Sequence, residues 1–294
     1  MSDGQSAETD GSGVEPAPER TVVQNAQLAL LLEVTGTPKP GNVDRAHDYD
    51  DLRFEHFMAG AVGAQRGLEM AADGERLGRA FERAVAGMSR QRAGNTQFGA
   101  LLLLTPLVRA AADGDLSGTR AGELAAETTV ADAADFYRAF EHVDVAVDDP
   151  PEGMDALDVR RGAAAVPTLE ERGLTLYDVM DRSTEVDGIA REWTGEFERT
   201  VDAAERLLEL DGPVPNRAAT VFLELLAEEP DTFVATQHDA DVAAEATRRA
   251  AAALEDGDPW ALANEFVAEE INPGTTADLT AGALFVALER GLDV

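Results

Sequence analysis

Apolar positions recur at helical spacing along nearly the whole of this chain. Between Thr21 and Val34 they fall at Val22, Val23, Ala26, Leu28, Ala29, Leu30, Leu31, Leu32 and Val34, a density that predicts a largely buried helix. Thr37-Pro38-Lys39-Pro40-Gly41 ends it, because proline lacks the N–H a helix needs and biases the residue before it away from helical geometry. A second helix is predicted from about Asp51 to Ala71, and a third from Glu75 to Met88 after a break at Asp73-Gly74. The stretch from Ala100 to Ala112 is apolar all round, which marks a helix in the middle of the core. Asn95 or Thr96 caps its start, and Pro106 should kink it.

Further helices are predicted over 118–127, 131–140, 186–210, 217–228, 240–255, 259–269 and 277–290. His142–Val147 alternates briefly and reads as a strand or an extended linker, and residues 148–168 read as a long loop. No period repeats, and no run of strands alternates with helices, which removes solenoids and parallel-sheet nucleotide folds. The fold class is therefore all-α: a single multi-helix domain of about ten helices over residues 19–294, with a buried central helix. Residues 1–18, polar, acidic and rich in Gly, Ser and Pro, read as a disordered tail.

Composition changes this picture in two ways. The chain has 57 acidic and 24 basic residues, a net charge of −33, so it should repel nucleic acid and anionic membranes. With 44% hydrophobic residues the acidity reads as a solvating skin on a folded protein, not as disorder. Near-absence of lysine, abundant Asp and Glu and no Cys resemble proteins of salt-accumulating halophiles, whose self-repulsion molar salt would screen. The start of the chain lacks a signal-peptide pattern, and the longest apolar run, Phe98 to Val108, is shorter than the roughly 20 residues a membrane span takes. The expected location is a high-salt cytoplasm.

Only one of the 24 basic residues is a lysine, Lys39, held between prolines. Lysine offers a compact charge with three donors, which suits phosphate. Around it, Thr37 to Asp51 mixes Lys39 and Arg45 with Asp44, His47, Asp48, Asp50 and Asp51, as a magnesium-triphosphate site requires. A helix starting here would align Asp48, Asp51 and Glu55 on one face. Against this, acidic residues are common throughout the chain and also favour a helix start. A second segment, Gly94-Asn95-Thr96-Gln97-Phe98-Gly99, opens the most buried helix, where backbone N–H groups can face an anion. The third, Ile271 to Leu279, makes a Pro-Gly turn into a final helix with Asp278 near its start; an ordinary capped helix explains the same residues. Zinc is improbable, with four scattered histidines and no Cys.

Taken in order, these segments resemble the triphosphoribosyl-dephospho-coenzyme A synthase family. Thr37 to Asp44 matches its Thr-Pro-Lys-Pro-Gly-x-Val-Asp pattern, Pro273 to Leu279 its Pro-Gly-x-x-Ala-Asp-Leu pattern, and Asp231-Thr232 a further element. The middle Asn-Thr-His-Lys-Gly pattern is matched in part, with Gln97 and Phe98 replacing His and Lys. The resemblance implies an all-α transferase that takes ATP and dephospho-coenzyme A. A ribose hydroxyl of the acceptor attacks the anomeric carbon of ATP, adenine leaves, and the triphosphate is retained. It further implies Lys39 and Arg45 on phosphate, with Asn95, Thr96 and Asp278 as substrate contacts. Asp44, Asp48 and Asp51 are catalytic candidates, the last two also as ligands of Mg²⁺. A nucleotide N-glycosidic hydrolase and a non-catalytic helical nucleotide-binding module remain open at this point.

Overall fold

Thr21 opens the first helix with a reciprocal cap, its hydroxyl accepting from Gln24 N while the Gln24 side chain accepts from Thr21 N. A computed structural model describes residues 19–150 and 154–294; the expected disordered tail lies outside the described residues. α1 (Val22–Thr35) is followed by α2 (Phe54–Gly63), α3 (Gln65–Ala72) and α4 (Leu77–Met88). Next come α5 (Phe98–Ala112), α6 (Gly118–Ala126) and α7 (Val130–Ala139). After 3-10 turns at Asp155–Leu157 and Val159–Ala165 the chain runs through α8 (Val166–Arg172), α9 (Leu176–Ser183), α10 (Gly188–Thr194) and α11 (Glu198–Glu209). The last helices are α12 (Val214–Glu228), α13 (Thr232–Gln237), α14 (Ala240–Asp256), α15 (Pro259–Ala268) and α16 (Gly274–Glu289).

The all-α class holds, with sixteen α-helices and no strand among the described residues, a larger number than the periodicity predicts. Two of the extra helices come from breaks that periodicity does not register, and α8, α9 and α13 are short helices outside the predicted stretches. The stretch read as one helix over 186–210 is two, because Glu196 and Phe197 turn left-handed at φ 57° and 56°. The turn buries Phe197 completely and sets the Glu196 carbonyl against Gly118, where an added Cβ would lie 2.2 Å away. Tertiary packing outweighs local preference there. The helix expected from Asp51 begins instead at Phe54, so Asp48 and Asp51 precede it and share no helical face with Glu55. His142–Val147 is an extended linker, and part of the expected loop over 148–168 is wound into 3-10 turns.

Three buried helices, α1, α5 and α16, pack on one another at the centre, flanked by α11 on one side and by α3, α4 and α7 on the other. A second apolar cluster, including Phe222, Leu226, Val234 and Phe266, joins α12 to α15 beside them. Pro106 sits inside α5 and cannot donate to the Leu102 carbonyl. Trp193 of α10 donates its indole N–H to that carbonyl at 3.2 Å, so the proline's missing bond is replaced from a neighbouring helix. None of the described helices is long and apolar enough to cross a membrane.

Candidate active-site cavity

The starts of α5, α10, α13 and α16 converge on one cavity of 330 Å³, within the range of small-molecule sites. One side is apolar, formed by Phe98, Phe136, Phe140, Leu157 and Met180 with Val145 of the 140–165 segment. The other is polar and brings together the three segments singled out in the sequence: Asn42 with Glu33 of α1, Asn95 to Gly99, and Asn272 to Asp278. Asn42 Nδ2 donates to Asn272 Oδ1 at 3.0 Å, which joins the first segment to the last across the fold. Gly41, at φ +72°, packs so closely on Ile271 that a Cβ would fall 1.8 Å from its carbonyl oxygen.

Lys39 does not line the cavity. It is fully buried beneath it, where its ammonium pairs with Glu33, donates to Asn42 Oδ1 at 3.0 Å and stands 5.7 Å over the Phe222 ring. Burial raises the Glu33 carboxyl above its ordinary range, and the Lys39 charge works against that rise. Asp44 is buried as an organiser of its own loop. It accepts from Lys39 N at 2.9 Å, Ala46 N at 2.7 Å and His47 N at 2.9 Å, and its carboxylate also meets the His47 ring at 3.0 Å. Arg45 is exposed and bonds Thr37 Oγ1 at 3.2 Å.

Asp48 and Asp51 are exposed on the loop and do not line the cavity. Asp48 accepts from Phe54 N at 2.7 Å, which anchors the start of α2. Among the described residues no group of three or more His, Cys, Asp or Glu is positioned to hold a metal.

The carboxylates that do face the cavity were mostly missed. Asp187 accepts from Ile189 N at 2.8 Å and Ala190 N at 3.4 Å as the cap of α10. Asp231, behind the cavity wall, accepts from Val234 N at 3.0 Å and from Thr276 N and Oγ1, both at 2.7 Å. Thr275 Oγ1 lies 2.9 Å from Thr232 Oγ1, and Gly188 N donates to the latter at 3.0 Å, so three helix starts are tied together. Asp278 points from α16 to the start of α5, with its Oδ2 against Gly99. Gly99 makes this approach possible, since a Cβ there would lie 2.1 Å from Asp278 Oδ2.

Burial drives the Asp278 carboxyl well above the ordinary carboxylate range, and the negative charges of Glu33, Asp231 and Asp187 push it further. Burial likewise raises Asp187 and Asp231, against the backbone and hydroxyl donors that favour their charged forms. Among the described residues the cavity wall carries a single basic side chain, Arg182. A signal for Glu33 was present in the sequence: it is the one charged residue in α1, set in the apolar run Leu28 to Val34. Asp187 had none beyond a helix cap.

Two buried side-chain atoms among those described have no hydrogen-bond partner, Thr96 Oγ1 and Gln97 Oε1, adjacent in the chain and both from cavity residues. Gln97 Nε2 donates to the Leu30 carbonyl at 3.3 Å, which fixes the amide orientation and leaves its oxygen as an unsatisfied acceptor.

The profile of the ATP:dephospho-CoA triphosphoribosyl transferase family matches residues 19–293. The crystal structure of a candidate triphosphoribosyl-dephospho-CoA synthase from Archaeoglobus fulgidus is similar over 80% of this chain and 100% of that one, with 26% identity and a TM-score of 0.66. No protein of curated function matches.

Proposed function

The chain belongs to the ATP:dephospho-CoA triphosphoribosyl transferase family, and from that premise we propose that the cavity at the starts of α5 and α16 is its active site. The enzyme moves the 5-triphosphoribosyl group of ATP to dephospho-coenzyme A and releases adenine. The observation that carries the placement is the convergence there of all three segments, separated by more than two hundred residues in sequence, around one cavity of ligand size. The reaction breaks a bond at the sugar, so it needs a proton donor or acceptor near the anomeric carbon more than a clamp on the terminal phosphate.

Asn95 and Thr96 are the substrate contacts of the polar wall. Lys39 acts through Glu33 and Asn42, by holding them at the cavity floor, and does not grip phosphate directly. Among the described residues, one basic side chain, Arg182, against several carboxylates gives the triphosphate little protein counter-charge. Cations, Mg²⁺ among them, accompany the nucleotide in this reading and are not supplied by a preformed site.

Adenine release, followed by chromatography with ATP and Mg²⁺, tests the reading. Release that depends on dephospho-coenzyme A is expected. Release without an acceptor would make the protein a hydrolase, and tight ATP binding without release a non-catalytic module. The assay belongs in molar potassium salt: the −33 charge should demand it, with the protein operating in a high-salt cytosol. Helicity that stays complete when salt is dialysed away would remove that requirement.

A further inference from the structure

Adenine is a poor leaving group as an anion, so the transferase reaction needs a proton delivered to the purine as the C1′–N9 bond breaks. Glu33, Asp187 and Asp278 line the polar half of the cavity with Asp231 behind it, and two of the four, Glu33 and Asp231, are held in ways that neutralise or occupy them. Glu33 of α1 is paired with Lys39. Asp231 is bound by two backbone amides and the Thr276 hydroxyl. Asp187 caps two amides of α10. Asp278 differs: it lines the cavity with its carboxyl against Gly99, and among the described residues no cation or hydroxyl pairs with it. Burial, with the nearby carboxylates of Glu33, Asp231 and Asp187, favours its protonated form, and the one cation of the cluster, Lys39, is paired with Glu33. Gly99 leaves the room its carboxyl occupies.

We propose that Asp278 is the general acid that protonates departing adenine, with Asp187 as the base that receives the proton of the acceptor hydroxyl. In this step the C1′–N9 electron pair goes to the purine, and the Asp278 proton goes to purine N7. The acceptor oxygen forms the new C1′–O bond, and its proton passes to Asp187. Adenine leaves neutral, and solvent returns one proton from Asp187 to Asp278. The assignment rests on the transferase reading above.

The test compares two nucleotides: ATP, and ATP methylated at purine N7, whose base is already cationic in the nucleotide and leaves neutral, as 7-methyladenine, without an acid. Single-turnover adenine release is measured with dephospho-coenzyme A in molar potassium salt. Asp278→Asn is nearly isosteric and carries no charge, so folding should survive, and circular dichroism checks it. It should slow release from ATP by roughly 10²–10⁴-fold and release from the methylated nucleotide by less than about tenfold. Asp278→Glu, which keeps a proton donor on a longer arm, should recover part of the ATP rate. In the wild type, kcat for ATP should fall as pH rises through the titration of Asp278, while kcat for the methylated nucleotide should not follow that limb. Equal losses on the two nucleotides would make Asp278 a binding or structural residue, and an undiminished ATP rate would remove it from the chemistry; either overturns the assignment. Failure of the wild type to release adenine from ATP on addition of dephospho-coenzyme A overturns the underlying transferase reading itself, a distinct result.

Discussion

Asp48 and Asp278 each lie against the start of a helix, and there the likeness ends. Asp48 lies on an exposed loop and holds the amide of Phe54, six residues ahead in its own chain segment. Asp278 reaches from α16 to the start of α5, far away in sequence, within a ring of three other carboxylates. Water screens the first and stabilises its charge at little cost; protein surrounds the second and disfavours its charge. Acidic residues packed closely along a sequence are thus a poor guide to chemistry in a chain this acidic. Acidic residues that a fold forces together away from water are a better one.

The sharpest break in this comparison would come from the cavity floor. Lys39→Met leaves Glu33 buried without its cation, and breaking such a pair should destabilise the fold by roughly 3–5 kcal/mol, read by denaturant unfolding in high salt. Adding Glu33→Gln to that variant should restore part of the loss. A Lys39→Met protein with unchanged stability but weakened ATP binding would return Lys39 to the phosphate role.

A second test uses pH. Glu33, Asp187, Glu192, Asp231 and Asp278 all titrate above their unfolded values of 3.8 or 4.5, chiefly through burial. The folded state therefore holds these protons more tightly than the unfolded chain does. Their contribution to stability is complete below about pH 4 and is lost as pH rises through each raised value. Surface acids such as Asp113 and Glu269, lowered by hydrogen bonds from arginines, work in the opposite direction. At fixed molar salt, which mutes those exposed pairs, the melting temperature should be higher near pH 5.5 than near pH 8. A monotonic rise toward pH 8 would mean the surface pairs govern stability and the interior acids do not.

The smallest effect belongs to the loop. Asp48→Ala removes one helix-start acceptor and should cost about 1 kcal/mol, with adenine release by the folded protein within a few-fold of wild type. A loss comparable to that of Asp278→Asn would restore the loop as a catalytic element and erase the contrast.

Much of the fold was legible in the sequence, because a buried helix writes its apolar face into the chain. α1, α4, α5, α6, α7, α14, α15 and α16 fall within a few residues of the predicted stretches. α9 and α13 were not anticipated; they are eight and six residues long, too short to show a clear period. Of the site, Asn95, Thr96 and Asp278 do line the cavity, while Arg45, Asp48 and Asp51 do not, and Lys39 and Asp44 lie behind its wall. Glu33, Asn42 and Asp187 complete the polar wall and were overlooked, each being unremarkable among its sequence neighbours except Glu33 in its apolar helix.

By itself the sequence determined the helical class, the acidic surface and the three segments that matter, since periodicity, composition and short motifs are local properties of the chain. Only the tertiary structure decided which acids share a cavity and which face water. That depends on contacts such as Gly41 on Ile271 and Gly99 on Asp278, and on the exclusion of solvent. The same aspartate side chain becomes a solvated helix anchor in one setting and a proton-holding group in the other through its dielectric surroundings and charged neighbours, which folding alone assembles.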